Sequence, residues 1–95
     1  MYESTVSTGP VAECLSFEVS EVTGMKRMQV DGVDGHRLAG EVAAAMARML
    51  ELPANQPYYF RDDRTARKLD DDDPLGTQIP VTGAQLMVVP KTKLG

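Results

Sequence analysis

Four consecutive apolar residues, Leu86-Met87-Val88-Val89, followed at once by Pro90, constrain this chain more than any other stretch. Successive side chains of a strand point to opposite faces, so this run puts apolar groups on both sides of whatever sheet it joins. One side can be core, and the other then needs a use of its own. Pro90 cannot donate to a ladder and tends to end the strand. Beyond it, Lys91-Thr92-Lys93-Leu94-Gly95 has two lysines and no core-forming pattern, the composition expected of a flexible C-terminal tail over residues 91–95.

Elsewhere the apolar positions recur with two different periods. Leu15, Phe17 and Val19 alternate with Ser16, Glu18 and Ser20, the period of a half-buried strand. Thr23-Gly24 reads as a turn, and Met28 and Val30 alternate with Arg27 and Gln29 in a second strand, giving a hairpin. Asp31 to Gly35 breaks that strand, with Asp34 placed to cap a helix. Leu38, Val42, Ala45, Met46, Met49 and Leu50 then follow at spacings of three and four, an apolar helical stripe that Pro53 stops. Tyr58-Tyr59-Phe60 is a short aromatic strand, and Lys68-Leu69 a minor one. Asp70 to Asp73 is a solvated loop, Leu75 and Ile79 a helical turn that plugs one end of the core, and Thr82-Gly83 turns the chain into the last strand. The order ββαββ predicts an α+β domain whose single helix covers one face of the sheet. Residues 1–13, rich in Ser, Thr, Gly and Pro and without period, read as a flexible N-terminal arm.

At 95 residues there is room for one domain, which buries roughly 60–65% of its unfolded surface and so has one modest core. The net charge of -4 argues against the phosphate backbone of a nucleic acid as partner. No apolar run approaches the roughly 20 residues of a membrane span, and the first residues carry no secretory pattern. A cytoplasmic protein without membrane insertion is expected. Cys14 is the single cysteine and cannot form an internal disulfide; free cysteines are usually buried, so a small, partly buried side chain is expected there.

Catalytic chemistry finds no constellation. Reading Asp71 as the first position of an EF-hand loop sets Gly76 at the sixth, but Leu75 at the fifth and Thr82 at the twelfth, where oxygen ligands are needed. His36 is the only histidine, so no histidine pair exists for a metal or for acid–base work. Gly32, Gly35 and Gly40 do not have dinucleotide spacing, and there is no phosphate loop. The chain is expected to be no enzyme and to need no cofactor. Arg61, Arg64, Arg67 and Lys68 form a basic cluster, interleaved with Asp62 and Asp63 and followed by Asp70 to Asp73, which neutralise its field.

What remains is apolar surface. If the helix covers the face holding Leu15, Phe17, Val19, Leu86 and Val88, then Met87, Val89 and Tyr59 fall on the uncovered face by alternation. Such a patch on a small domain marks a protein interface, the alternatives being self-association or unconnected exposed residues.

These ordered pieces resemble ubiquitin and its β-grasp relatives from about Leu15 to Gly95. The resemblance rests on the Thr23-Gly24 turn, the Leu38/Val42/Met46 helix, the Leu52-to-Pro57 link into Tyr58-Tyr59-Phe60, Leu69 before an acidic loop, Leu75 and Ile79, and Leu86-Met87-Val88-Val89 with a tail ending in glycine. It implies an α+β, β-grasp domain over residues 14–90, a mixed sheet of four to five strands with one helix packed on one face. Counted back from the end, Gly95 falls on the conjugating glycine of ubiquitin, and Leu94 stands where the first glycine of the usual Gly-Gly ending would be. Val89, Tyr59 and Val22 fall on the three members of its recognition patch. The implied function is a ubiquitin-like modifier or carrier, of bacterial type, whose terminal glycine is activated by a partner enzyme and conjugated. The alternative is a non-covalent adaptor, such as the ubiquitin-like domains of type VII secretion systems, that docks through Val22, Tyr59, Met87 and Val89. Either implies protein partners, an activating or conjugating enzyme or adaptor targets, for a chain expected to be a monomer.

Overall fold

The computed structural model describes residues 14–91. The expected arm and most of the expected tail, Leu94 and Gly95 included, lie outside the described residues. Strand β1, Cys14–Glu21, pairs antiparallel with β2, Arg27–Asp34. Helix α1, Ala39–Met49, leads to β3, Tyr58–Asp62, and a single 3-10 turn, Leu75–Thr77, precedes β4, Ala84–Pro90. The sheet order is β2-β1-β4-β3. The two central strands run parallel and the outer pairs antiparallel, so this is the mixed sheet with one helix on one face that the sequence implies.

Alternation does most of the work of building it. Leu15, Phe17, Val19, Phe60, Leu86 and Val88 are all at most 1% exposed and meet the helix side of the sheet. Phe17 and Phe60 pack edge to face, with ring centroids 6.0 Å apart. Leu69, Leu75 and Ile79 close one end of this core, and the Tyr58 hydroxyl donates to the Pro53 carbonyl at 2.8 Å at the other. In the hairpin, Gly24 takes a positive φ of 75°, a conformation that costs glycine little. The neighbouring Glu21 carboxylate accepts hydrogen bonds from the Thr23 amide and hydroxyl.

The helix differs from expectation at its start and in its phase. Asp34 does not cap it: its carboxylate accepts the His36 amide at 2.9 Å, in a local turn. The first helical N–H groups, those of Ala39 and Gly40, donate instead to the carbonyls of Asp73 and Asp71, at 2.9 and 3.0 Å. The aspartate run is therefore docked on the helix N-terminus through its backbone. The buried stripe is Ala39, Val42, Ala43, Met46, Ala47 and Leu50, while Met49 is 58% exposed and Leu38 and Ala45 are only partly covered. Three alanines on the inner face let the backbone approach the aromatic strand closely, and that rotates the larger Met49 outward. Cys14 is also a correction, being exposed. It shares the phase of Ser16 and Glu18 and begins β1 at the sheet's end, where no described residue covers it.

Candidate protein-docking face

The sheet face opposite the helix is divided along its strands. At one end the side chains are polar: Glu18 lies between Gln29 on β2 and Gln85 on β4, and Arg27 approaches Glu18 at 3.9 Å. At the other end Tyr59 and Val89 are direct partners across the antiparallel β3–β4 ladder, and both are half-buried. Met87, two residues back on β4, lies between Ser20 of β1 and Arg61 of β3. Val22 follows Glu21, the last residue of β1, which faces Val88 on β4, and is 51% exposed. The structure thus brings Tyr59, Met87 and Val89 together and sets Val22 in the turn at the margin of the same face. Thr23 steadies that turn, and its hydroxyl, with lesser help from its amide, holds the Glu21 carboxyl below the usual carboxylate range.

The rim of this apolar end is cationic, and here the sequence reading missed a feature. The Lys68 ammonium lies 5.0 Å from the centre of the Tyr59 ring, within cation–π range. Arg61 shares the phase of Tyr59 and is exposed beside Met87. The expected neutralisation by neighbouring aspartates does not take the form of ion pairs. Among the described residues Arg61, Arg64, Arg67 and Lys68 form none, and the Asp62 carboxylate instead accepts the turn amides of Arg64 and Thr65, at 2.8 and 3.3 Å. The strand period could have revealed Arg61, but the Lys68–Tyr59 contact depends on a loop that folds back so that Lys68 bridges Arg61.

At the exit of β4 the Lys91 amide donates to the Pro57 carbonyl at 2.9 Å, and its ammonium pairs with Asp71. The second Asp71 oxygen is buried without a hydrogen-bond partner. The root of the tail is thereby tied to the loop that covers the helix N-terminus. Among the described residues no group of His, Cys, Asp and Glu side chains is arranged to hold a metal ion, and no helix is long and apolar enough to cross a membrane.

No family model and no curated protein sequence matches the chain. Solved structures do match in fold. A designed protein based on ubiquitin superposes with a TM-score of 0.65 at 19% identity, covering 90% of this chain and 95% of that one. The ubiquitin of Caldiarchaeum subterraneum gives a TM-score of 0.64 at 16% identity, with 86% and 99% covered. The ubiquitin-like domain of Plasmodium falciparum Dsk2 gives 0.63 at 13% identity, with 82% and 99% covered. At such identities the likeness is one of architecture, and it establishes that this chain has the ubiquitin-like β-grasp fold.

Proposed function

We propose that this ubiquitin-like domain works by docking other proteins on the open sheet face, through Tyr59, Met87 and Val89 with Val22 at the margin. The observation that carries this is the division of the face: its apolar end is contiguous, rimmed by unpaired cations, and uncovered among the described residues. Buried aromatic and aliphatic anchors inside a polar rim are how protein interfaces concentrate their affinity. The partner surface that fits is an apolar segment flanked by carboxylates. Tyr59→Ala and Val89→Ala keep the core intact and are expected to weaken partner binding by about 1–2 kcal/mol each, as central anchors do. Calorimetric titration against captured partners checks this, and unchanged affinity in both variants removes the patch from the function.

A second reading makes the chain a carrier as well. It is favoured by the path of β4, which leads past Tyr59 and Val89 and ends with Lys91 held at the Pro57 carbonyl, at the same end of the sheet as the patch. In this reading the Gly95 carboxylate attacks the α-phosphate of ATP, releasing pyrophosphate. A thiol of the activating enzyme then displaces AMP from the acyl adenylate, and an amine on the target takes the acyl group. ATP–pyrophosphate exchange with an activating enzyme from the same cell tests it. Gly95→Val is expected to abolish exchange without changing patch binding, and a wild-type chain that never forms an adenylate, thioester or amide leaves docking alone.

A further inference from the structure

From the geometry of β2 we infer that this chain pairs with a second copy of itself, edge to edge, to form one continuous sheet. The inference is independent of the patch. It starts from the outer strand β2, whose neighbour on one side is β1 and which has none on the other among the described residues. The Glu21 amide donates to the Lys26 carbonyl, and antiparallel ladders alternate between bonded and non-bonded pairs. The N–H and C=O of Met28 and Val30 therefore face β1, while those of Arg27, Gln29 and Asp31 face outward.

These five residues are complementary to their own reverse: cation, apolar, glutamine, apolar, anion. An antiparallel copy related by a two-fold axis through Gln29 sets Arg27 opposite the second copy's Asp31, and the reverse. Gln29 meets Gln29, and Met28 meets Val30 on the other face. The outward backbone groups of Arg27, Gln29 and Asp31 are then all in bonded pairs. Sliding the copies by one step of the pleat sets Arg27 opposite Gln29 or Val33 and loses both ion pairs, so charge selects a single register. The regular stretch ends where it must for this pairing. Asp31 and Gly32 together oppose Ser16 in a bulge, with Gly32 at a φ of 73°, which bends the edge away after Asp31.

Among the described residues nothing on the edge obstructs a partner. Arg27, Gln29 and Asp31 are exposed, and their present contacts are weak: Arg27 to Glu18 at 3.9 Å and Gln29 to Asp31 at 3.3 Å. The helix stops short of the edge, leaving Met28, Val30 and Val33 only partly covered, and Val33 lines a groove of about 500 Å³ between β2 and α1. The Tyr59–Val89 pair lies at the far edge of the sheet, so a pair of copies presents two docking patches facing outward, an arrangement that raises avidity for a repeated target.

Sedimentation equilibrium from micromolar to low millimolar concentration tests the pairing. The wild-type chain is expected to show a monomer–dimer equilibrium, and hydrogen-exchange protection of the Gln29 amide should rise with concentration. Arg27→Glu alone and Asp31→Lys alone each set two like charges face to face, weakening the dimer by about tenfold or more. An equimolar mixture of the two variants opposes each new acid with a new base and keeps the native Arg27–Asp31 pair, so the mixture should dimerise where neither variant does. A wild-type chain that stays monomeric with an unprotected Gln29 amide overturns the proposal. So does a dimer that both single variants retain, or a mixture that remains monomeric.

Discussion

Val88 and Val89 are neighbours in sequence and opposites in environment. Val88 is fully buried between the sheet and the helix, whereas Val89 lies half-covered on the open face beside Tyr59. Burying an unpaired carboxylate is among the few single changes that cost more than a small domain can bear. Val88→Asp is therefore expected to lose about 3 kcal/mol or more and to unfold the domain or lower its melting temperature sharply. Val89→Asp keeps its charge in water and should melt close to the wild type. Thermal denaturation of the two variants side by side checks the strand phase: equal loss in both contradicts it. The same phase explains Arg61, whose side chain is set among the patch residues by being two positions from Tyr59.

At the scale of elements, the most constrained junction is where the aspartate loop meets α1. A Cβ on Gly40 would lie 3.0 Å from the Asp71 Cβ and 3.3 Å from the Asp71 carbonyl oxygen, and that oxygen already accepts the Gly40 amide. Neither atom can retreat without loosening the loop that satisfies the helix N-terminus. Alanine in place of glycine gains at most about 1 kcal/mol of helix propensity, against typically 1–3 kcal/mol for overpacking. Gly40→Ala is expected to destabilise the domain by about 1 kcal/mol, measured by urea denaturation. An increase in stability would mean the loop shifts freely. The strand pair β3–β4 is constrained differently, because it must serve the core on one face and the docking patch on the other. Tyr58 and Phe60 face inward while Tyr59, between them, faces out.

Over the whole molecule the charges are segregated in a way that the net value of -4 conceals. The aspartate run is held against the helix N-terminus through its backbone, whereas Arg61 and Lys68 stand at the exposed apolar end of the sheet. A localised cationic rim steers carboxylate-bearing partners despite the overall negative charge. The association rate of a partner at the patch is therefore expected to fall as ionic strength rises, because screening shortens the reach of these charges to about 8 Å at physiological salt. Dissociation, governed by the apolar anchors, should change little. Stopped-flow measurement across a salt series separates the two, and a salt-independent association rate removes the rim from recognition.

The sequence by itself determined the four main strands in chain order and which side chains of Leu15 to Val19 and of Leu86 to Val89 face the core, because period-two alternation is a local property and one buried face enforces it. It ended β2 at Asp31, whereas that strand runs on through a bulge to Asp34, and the minor strand expected at Lys68-Leu69 is only a single bridge from Lys68 to Arg61. It also marked Tyr59, Met87 and Val89 as companions on the other face. The tertiary structure alone decided the phase of the helix, since a helix bearing apolar residues on more than one side turns whichever of them packs best, and the small alanines won over Met49. It alone showed that Asp34 serves its own turn while distant carbonyls cap α1, because backbone partners leave no mark on composition. The Lys68–Tyr59 stacking and the open edge of β2 are likewise three-dimensional facts. Each depends on which segment the folded chain sets beside another, and neither a residue's type nor its spacing carries that information.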